Sequence, residues 1–326
     1  MRTLYTILFC VLLMACNNKK DGDKTTYLPA SNGNLNSISV VVDNSIWDGG
    51  VGESIRNIFA APLNGLPVDE PMFKLRQIPP QVFDGFATRS RIILKIEKGN
   101  LEPTTQIKNN AFAKPQTVAV VGGKTNQDII AQLKENKDKI IDAFKKEEVK
   151  EKQRRINLSL LKDEQMENQL GFTVNIPSAY RISRSTDDFF WIRKNLSNSK
   201  TIELMVYEVP LDSISKGDST IVDIMKIRNR ITKTQIPGED GIYMVIEDAY
   251  APSMFNTIID NKPTYEVRGL WETVGFKMGG PFIMYAIEDK INKRYLIADG
   301  YVYAPSLRKS EYVFELESII KSITIK

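Results

Sequence analysis

The chain has 326 residues, of which 42% are hydrophobic and 26% are charged, with 44 Lys and Arg against 40 Asp and Glu. This composition excludes a wholly disordered chain, a collagen-like repeat and a protein with many membrane spans. The formal net charge of +4 is too small for this length to indicate a nucleic-acid-binding surface. At roughly 150 residues per domain, the length predicts about two domains.

Histidine is absent, and both cysteines, Cys10 and Cys16, lie close to the N-terminus. These two facts exclude a Ser-His-Asp triad, a Cys-His dyad, an imidazole metal ligand and a disulfide-bonded core. Any catalysis would have to use Asp, Glu, Lys, Tyr, Ser or Thr side chains or an oxygen-ligated metal. The sequence therefore predicts no cofactor and no metal site, and it favours a binding protein over an enzyme.

Residues 1–15 have the features of a signal peptide. Arg2 precedes an apolar run of 12 residues (positions 4–15) that only Thr6 interrupts, and about 20 residues would be needed to span a bilayer. The run ends in Leu13-Met14-Ala15-Cys16, which resembles the bacterial lipobox. We therefore predict lipidation of Cys16, with acyl chains that hold the mature protein on a membrane. An ordinary signal peptide followed by a chance cysteine is the alternative.

Residues 16–36 are polar and rich in Asn, Lys, Gly and Asp, which predicts a flexible tether behind the lipidated residue. Within it, Lys19-Lys20-Asp21-Gly22-Asp23 is similar to the surface-export signal of Bacteroidetes lipoproteins, and a solvated linker is the other interpretation. The predicted location is the cell envelope, with the anchor in the outer membrane. Both the periplasmic face and the outer face remain open.

Residues 37–157 are predicted to form a smaller N-terminal α/β domain. Short apolar or alternating runs predict strands at 38–42, 72–78, 91–97 and 116–121, and residues 53–61 predict a helix. Gly49-Gly50-Val51-Gly52 lies where a phosphate-binding loop would begin. No Lys-Ser or Lys-Thr pair follows, so we interpret this segment as a turn.

A long helix is predicted to close this domain. Thr125 and Asp128 have the spacing of a capping box, and apolar residues at positions 129, 133, 140 and 144 share one helix face. From Lys145 to Arg155, nine of eleven residues are charged. Charges of both signs are interspersed, so we predict a solvated extension of the helix that joins the two domains, and a nucleic-acid or anionic-lipid patch is the alternative.

Residues 158–326 are predicted to form a C-terminal α+β domain. Strands are expected at 171–177, 189–193, 202–209, 242–247, 265–272, 281–287 and 295–303, with helices near 220–232 and 313–323. Strands that alternate along the chain with few helices favour an antiparallel sheet covered by helices. The predicted fold class is therefore α+β with two domains.

The strand at 265–272 supplies the candidate binding residues Glu266, Arg268, Trp271 and Glu272. The alternation of side chains places Glu266, Arg268 and Glu272 on one face, with the arginine between two carboxylates. The alternative is a cross-strand ion-pair cluster on a solvent-facing surface. Residues 278–282, Met-Gly-Gly-Pro-Phe, predict a tight start of the next strand, or else a place where a ligand approaches the backbone. No catalytic residue can be assigned from this spacing.

Several short motifs together resemble an uncharacterised family of Bacteroidetes lipoproteins, a domain of unknown function. They are the lipobox, Trp47-Asp48, Glu70-Pro71, Lys114-Pro115-Gln116, Arg268-Gly-Leu-Trp271, the 278–282 motif and Val302-Tyr-Ala-Pro305. The resemblance covers essentially the whole mature chain and implies the envelope location, with no activity attached. The C-terminal half also resembles PsbP-like sandwiches, whose members mostly bind partners, so this resemblance implies a binding role by fold analogy.

These features together predict a lipid-anchored envelope protein that binds or scaffolds a protein or glycan partner without catalysis. The alternative is a hydrolase that uses carboxylates or an oxygen-ligated metal on envelope polymers. A third option is a small apolar ligand held between the layers. We expect membrane contact through Cys16 and no nucleic-acid partner.

Overall fold

The structure, a computed structural model, describes residues 27–326 except Asn198. The predicted signal peptide, Cys16 and the first part of the tether lie outside the described residues. Among the residues that are described, no helix is long and apolar enough to cross a membrane.

The N-terminal domain is built on a mixed five-stranded sheet. Its strands are β1 (Ser37–Val41), β2 (Lys74–Ile78), β3 (Ile92–Lys98), β4 (Thr104–Asn109) and β5 (Thr117–Gly123), in the order β2-β1-β3-β5-β4. Only β4 runs antiparallel to its neighbour. The continuous apolar run of β1 follows from this arrangement, because a central parallel strand is covered on both faces.

Four helices accompany this sheet: α1 (Asn44–Trp47), α2 (Gly50–Phe59), α3 (Asn126–Glu135) and α4 (Lys137–Ile156). Their apolar side chains pack on one face of the sheet, where the Phe144 ring lies 6.2 Å from Phe59 and 6.3 Å from Phe73. The helices thus bury the main core of the domain. Short 3-10 turns occur at Pro80–Val82 and Ala87–Arg89, and further along the chain at Leu211–Ser213 and Glu239–Gly241.

Two local predictions in this domain need correction. The glycine-rich segment predicted as a turn begins α2 instead, and Gly52 lets α2 approach α1, since a Cβ there would lie 1.8 Å from the Trp47 carbonyl oxygen. The capping box of Thr125 and Asp128 is confirmed. The prediction of a single long helix is wrong, because the chain leaves helical geometry at Asn136 and α4 begins one residue later.

The C-terminal domain is built on an eight-stranded antiparallel sheet, in the order β10-β12-β13-β14-β9-β8-β7, with β11 also paired to β12. The strands are β7 (Arg181–Ser185), β8 (Phe189–Asn195), β9 (Thr201–Pro210), β10 (Tyr243–Ile246), β11 (Ser253–Ile259), β12 (Lys262–Val274), β13 (Gly279–Asp289) and β14 (Arg294–Tyr303). A separate pair, β6 (Phe172–Thr173) and β15 (Thr324–Ile325), brings the end of the chain back to the start of the domain.

Helices cover both faces of this sheet. Helix α7 (Ser310–Ile320) packs on one face together with the short helix α5 (Gln165–Leu170), and α6 (Thr220–Gln235) packs on the other. The α+β fold class with two domains predicted from the sequence is confirmed. The strand predicted at 171–177 is limited to the two residues of β6, while β4, β7 and β11 were not predicted.

The charged end of α4 is only partly solvated, which corrects that prediction. Glu148 is fully buried, and its carboxylate accepts hydrogen bonds from Arg91 Nε at 2.8 Å and from the Asn36 backbone N–H at 2.6 Å. Lys152 forms a salt bridge of 2.7 Å with Glu315 of α7. The charge run is therefore part of the contact between the two domains.

Candidate functional site

The alternation of β12 distributes the four predicted site residues over both faces of the C-terminal sheet. Glu266 and Arg268 lie on the face covered by α7, where Arg268 meets Glu317 of that helix. Trp271 lies on the face covered by α6. The structure therefore does not bring the four residues together into one site.

Arg268 lies between the carboxylates of Glu266 and Glu317. The second carboxylate is thus Glu317 and not Glu272, which the sequence predicted. The distances are 2.6 Å from Arg268 Nε to Glu266 and 2.9 Å from Arg268 Nη2 to Glu317. Both Glu266 and Arg268 are only 8% exposed, so the alternative of a cluster on a solvent-facing surface is also wrong. Burial alone would raise the pKa of Glu317, but the charges of Arg268 and Lys321 outweigh it and hold this pKa well below its usual range.

Glu272 lies apart from this cluster, near the end of β12. It pairs in register with Val245 of β10, and Glu247 lies close by on the same strand pair. Desolvation is the main cause that raises the pKa of Glu272, and the negative charge of Glu247 raises it further. The two carboxylates are thus a separate acidic pair at the sheet edge.

Trp271 forms part of a cavity of about 250 Å³, which we call the aromatic pocket. The cavity lies on the sheet face just past the C-terminal end of α6, where the covering helix stops. One wall is formed by Ile236, Pro237, Gly238, Ile242 and Tyr243. Five aromatic side chains line the cavity: Trp191, Tyr243, Trp271, Tyr301 and Tyr303. Met244, Met278 and a few polar groups complete the lining. The end of the covering helix therefore leaves an aromatic surface open.

Glu203 organises the polar side of the aromatic pocket. One of its carboxylate oxygens accepts hydrogen bonds from Trp191 Nε1 at 2.6 Å and from the Tyr301 hydroxyl at 2.5 Å. The other accepts from Arg193 Nε at 3.0 Å, and the Arg193 guanidinium lies 5.3 Å from the centre of the Trp191 ring system. Burial, reinforced by Glu203, raises the pKa of Tyr301 well above its usual value, which keeps its hydroxyl a donor. The carboxylate thus fixes the orientation of the surrounding rings.

The floor of the pocket is tightly packed. The Trp271 ring meets Tyr301 edge to face at 5.7 Å, and within the described part of the chain Trp271 Nε1 has no hydrogen-bond partner. Next to it, a Cβ at Gly280 would lie 2.1 Å from the Val302 carbonyl oxygen. Gly279 and Gly280 therefore permit close approach of strand backbones at the start of β13, as one interpretation of the 278–282 motif predicted.

The sequence analysis singled out none of Arg193, Glu203 and Tyr243, and Trp271 was its only aromatic site residue. Trp191 and Tyr303 are half-buried, and both border the pocket. The available signal was the spacing of Trp191 and Arg193 on one face of β8. Their convergence with β9, β12 and β14 depends on strand order, which the local pattern does not contain.

A second cavity, of about 470 Å³, lies between the domains, and we call it the interdomain cleft. Helix α4 and the loop at 62–72 border it on the N-terminal side. Strands β11 and β12 and helix α7 border it on the C-terminal side, so Glu266, Arg268 and Glu317 lie in its wall. The predicted polar binding face is therefore an interface between the two domains.

Residues 159–322 match the model of a family described as a domain of unknown function, DUF4837. The chain belongs to this family. Residues 31–157 match a second domain of unknown function, DUF8532. The expected membership of an uncharacterised domain family is thus confirmed. No curated protein matches the chain.

Two solved structures show a distant similarity to this DUF4837 member. The Ran-binding protein Mog1p of Saccharomyces cerevisiae is 8% identical with a TM-score of 0.33, over 48% of this chain and 90% of that one. A protein from Bacteroides thetaiotaomicron is also 8% identical with a TM-score of 0.27, over 48% of this chain and 45% of that one.

The two cavities offer different surfaces to a ligand. In the described part of the chain, no group of three or more Cys, Asp or Glu side chains is arranged to hold a metal ion. Glu203 in the aromatic pocket already accepts three hydrogen bonds, and Glu266 and Glu317 are neutralised by Arg268 and Lys321. The aromatic pocket offers flat apolar surfaces, while the interdomain cleft offers charges.

Proposed function

We propose that this chain is a lipid-anchored protein of the cell envelope that binds one ring-shaped unit of a glycan in the aromatic pocket, without catalysing a reaction. The observation that carries the proposal is the convergence of five aromatic side chains on a cavity with a polar edge. A sugar ring has an apolar face that packs on aromatic rings and a rim of hydroxyl groups that hydrogen-bond. Small-molecule sites typically combine these two kinds of surface.

The size and polarity of the pocket support a single ring. Its volume of about 250 Å³ lies below the 300–1,000 Å³ that is typical of sites for drug-sized ligands. Polar groups at its edge come from Arg193, Ser199, Thr201 and Thr273. Trp191 and Tyr303 are half-buried and thus accessible to a ligand, whereas Trp271 is buried beneath them.

The test is a titration of the purified protein with N-acetylglucosamine oligosaccharides, followed by tryptophan fluorescence. The chain has three tryptophans, and two of them, Trp191 and Trp271, line the pocket, so occupancy should change the emission. W191A and Y303A should each weaken binding by about tenfold, which corresponds to 1.4 kcal/mol. W47F, in the N-terminal domain, is the matched control. Unchanged affinity in both pocket variants would refute this use of the pocket.

The envelope location is a proposal supported by the lipobox-like sequence that ends at Cys16. C16A should lose the membrane-bound form that partitions into detergent, while C10A, within the signal peptide, should behave as wild type. Equal partitioning of C16A and wild type would contradict the anchor. Protease treatment of intact cells then distinguishes the two faces of the outer membrane, because only a protein on the outer surface is cleaved.

The hydrolase alternative draws on the acidic pair of Glu247 and Glu272. Desolvation and the negative charge of Glu247 both raise the pKa of Glu272, and a carboxyl group with a raised pKa can serve as a general acid. If envelope polymers are hydrolysed by the purified protein, E272Q should abolish this turnover and leave binding at the aromatic pocket intact. Turnover that survives E272Q would exclude this pair as its source.

A further inference from the structure

Lys145 places a positive charge in the interdomain cleft that forms no salt bridge with a described residue. In its wall, Arg268 is paired with Glu266 and Glu317, and Glu317 also binds Lys321 at 2.6 Å. Lys145, on α4, borders the same cavity, and among the described residues no carboxylate lies within salt-bridge distance of its ammonium group. Burial lowers the pKa of Lys145, and Glu317 only partly opposes this effect. A desolvated cation of this kind favours an anionic ligand.

Two carboxylates stand on the same side of α4. Asp138 and Asp142 precede Lys145 by seven and three residues, and both border the cleft from its exposed rim. At 1.5 Å per residue, Asp138 and Lys145 are separated by about 10 Å along the helix axis. The helix therefore presents a negative end and a positive end to the cavity.

The opposite side of the cleft is formed by an edge strand. Strand β11 pairs only with β12. Phe255, Asn256 and Thr257 are consecutive, so their side chains alternate between the two faces of the strand, yet all three border the cleft. It follows that the cleft runs along the strand's edge. Within the described part of the chain, no backbone hydrogen bond occupies this outer edge, which is the usual place for an added strand.

We propose that the interdomain cleft binds a short extended peptide with free termini. Lys145 receives its terminal carboxylate, Asp138 receives its terminal amine, and its backbone lies beside β11. An extended tripeptide spans about 10 Å at 3.3–3.6 Å per residue, which matches the separation of Asp138 and Lys145 along α4. This site is distinct from the aromatic pocket, which lies on the other face of the C-terminal sheet, and it does not rest on the glycan proposal.

The test is calorimetric titration of the full-length purified protein with tri-alanine. K145M keeps the length of the side chain and removes its charge, so it should weaken binding by about tenfold or more. K146M is the matched control, because Lys146 is the exposed neighbour on the same helix, and it should bind as wild type. Tri-alanine amide and N-acetyl-tri-alanine, which lack one terminal charge each, should both bind more weakly than tri-alanine.

Three results would overturn the proposal. The first is the absence of binding to wild type at about 10 mM peptide, where even a weak site would be occupied. The second is equal affinity of K145M and wild type, with both shown to be folded by their thermal unfolding. The third is equally tight binding of acetate or inorganic phosphate, since this would identify a simple anion site rather than a peptide site.

Discussion

At the scale of single residues, the most demanding feature is a buried ion pair beneath α6. Arg228 Nε lies 2.9 Å from Asp299 of β14, both side chains are fully buried, and the guanidinium lies 4.1 Å from the centre of the Phe282 ring. Burial raises the pKa of Asp299, and Arg228 counteracts this shift. Each charge would be strongly destabilising in this buried position without the other. The pair therefore fixes the position of α6 on the sheet.

We therefore expect R228M to lower the free energy of unfolding by about 3–5 kcal/mol, because it leaves the Asp299 carboxylate buried without a counter-ion. Urea denaturation measures this change. K226M, an exposed lysine on the same helix, should change the stability by less than about 0.5 kcal/mol. The double variant R228M/D299N should recover part of the loss. A single variant as stable as K226M would show that the pair does not hold the helix.

At the scale of elements, the N-terminus of α7 is capped by a residue from the other domain. Lys309 and Ser310 donate their backbone N–H groups to the Glu70 carboxylate, at 2.7 Å and 3.1 Å. Helix α7 has no side-chain cap of its own at this position. A carboxylate there satisfies free N–H groups and interacts favourably with the helix dipole. One side chain thus ties the Glu70 loop to the helix that covers the C-terminal sheet.

E70A should destabilise the protein by about 1 kcal/mol, the usual effect of losing a helix cap. The exposed neighbour Asp69 supplies the control, D69A. Burial alone would raise the pKa of Glu70, but its hydrogen bonds to Ser310 and Lys309 outweigh it and hold this pKa below its usual value. The difference in melting temperature between wild type and E70A should therefore be largest near pH 7, where the Glu70 carboxylate is ionised. It should vanish as the pH falls through this lowered pKa. A difference that persists or grows in acid would contradict the cap.

At the scale of the whole molecule, the two domains share one interface that includes several polar contacts. Besides the Glu70 cap, Lys152 of α4 binds Glu315 at 2.7 Å, and Gln153 donates to the Ser318 carbonyl oxygen at 3.0 Å. Glu315 also accepts from Lys194 of β8, so this network reaches the C-terminal sheet. Helices α4 and α7 therefore couple the stability of the domains.

Calorimetry of the wild-type protein should accordingly show one cooperative transition. The double variant E70A/K152M removes a contact at each of two places in the interface, and we expect its transition to broaden or separate into two. D69A/K150M, which changes two exposed neighbours, should keep the single transition. Two resolved transitions already in the wild type would show that the interface does not couple the domains.

The fold followed from the sequence wherever a local pattern carries the information. Apolar runs predicted the buried strands, and the spacing of Thr125 and Asp128 predicted the start of α3. Strands β4, β7 and β11 were missed because each exposes most of its side chains and so lacks a clear alternation. The split at Asn136 was missed because the apolar stripe continues across it.

By itself, the sequence determined the fold class, the membership of an uncharacterised domain family and the chemistry that a chain without histidine cannot perform. Only the tertiary structure decided which charges meet. Arg268 finds Glu317, 49 residues away, rather than Glu272 on its own strand, and α7 rather than solvent covers that face. The aromatic pocket likewise joins side chains from β8, β9, β10, β12 and β14. Local periodicity reports which face a side chain occupies, whereas strand order and helix docking, set by long-range packing, decide what that face meets.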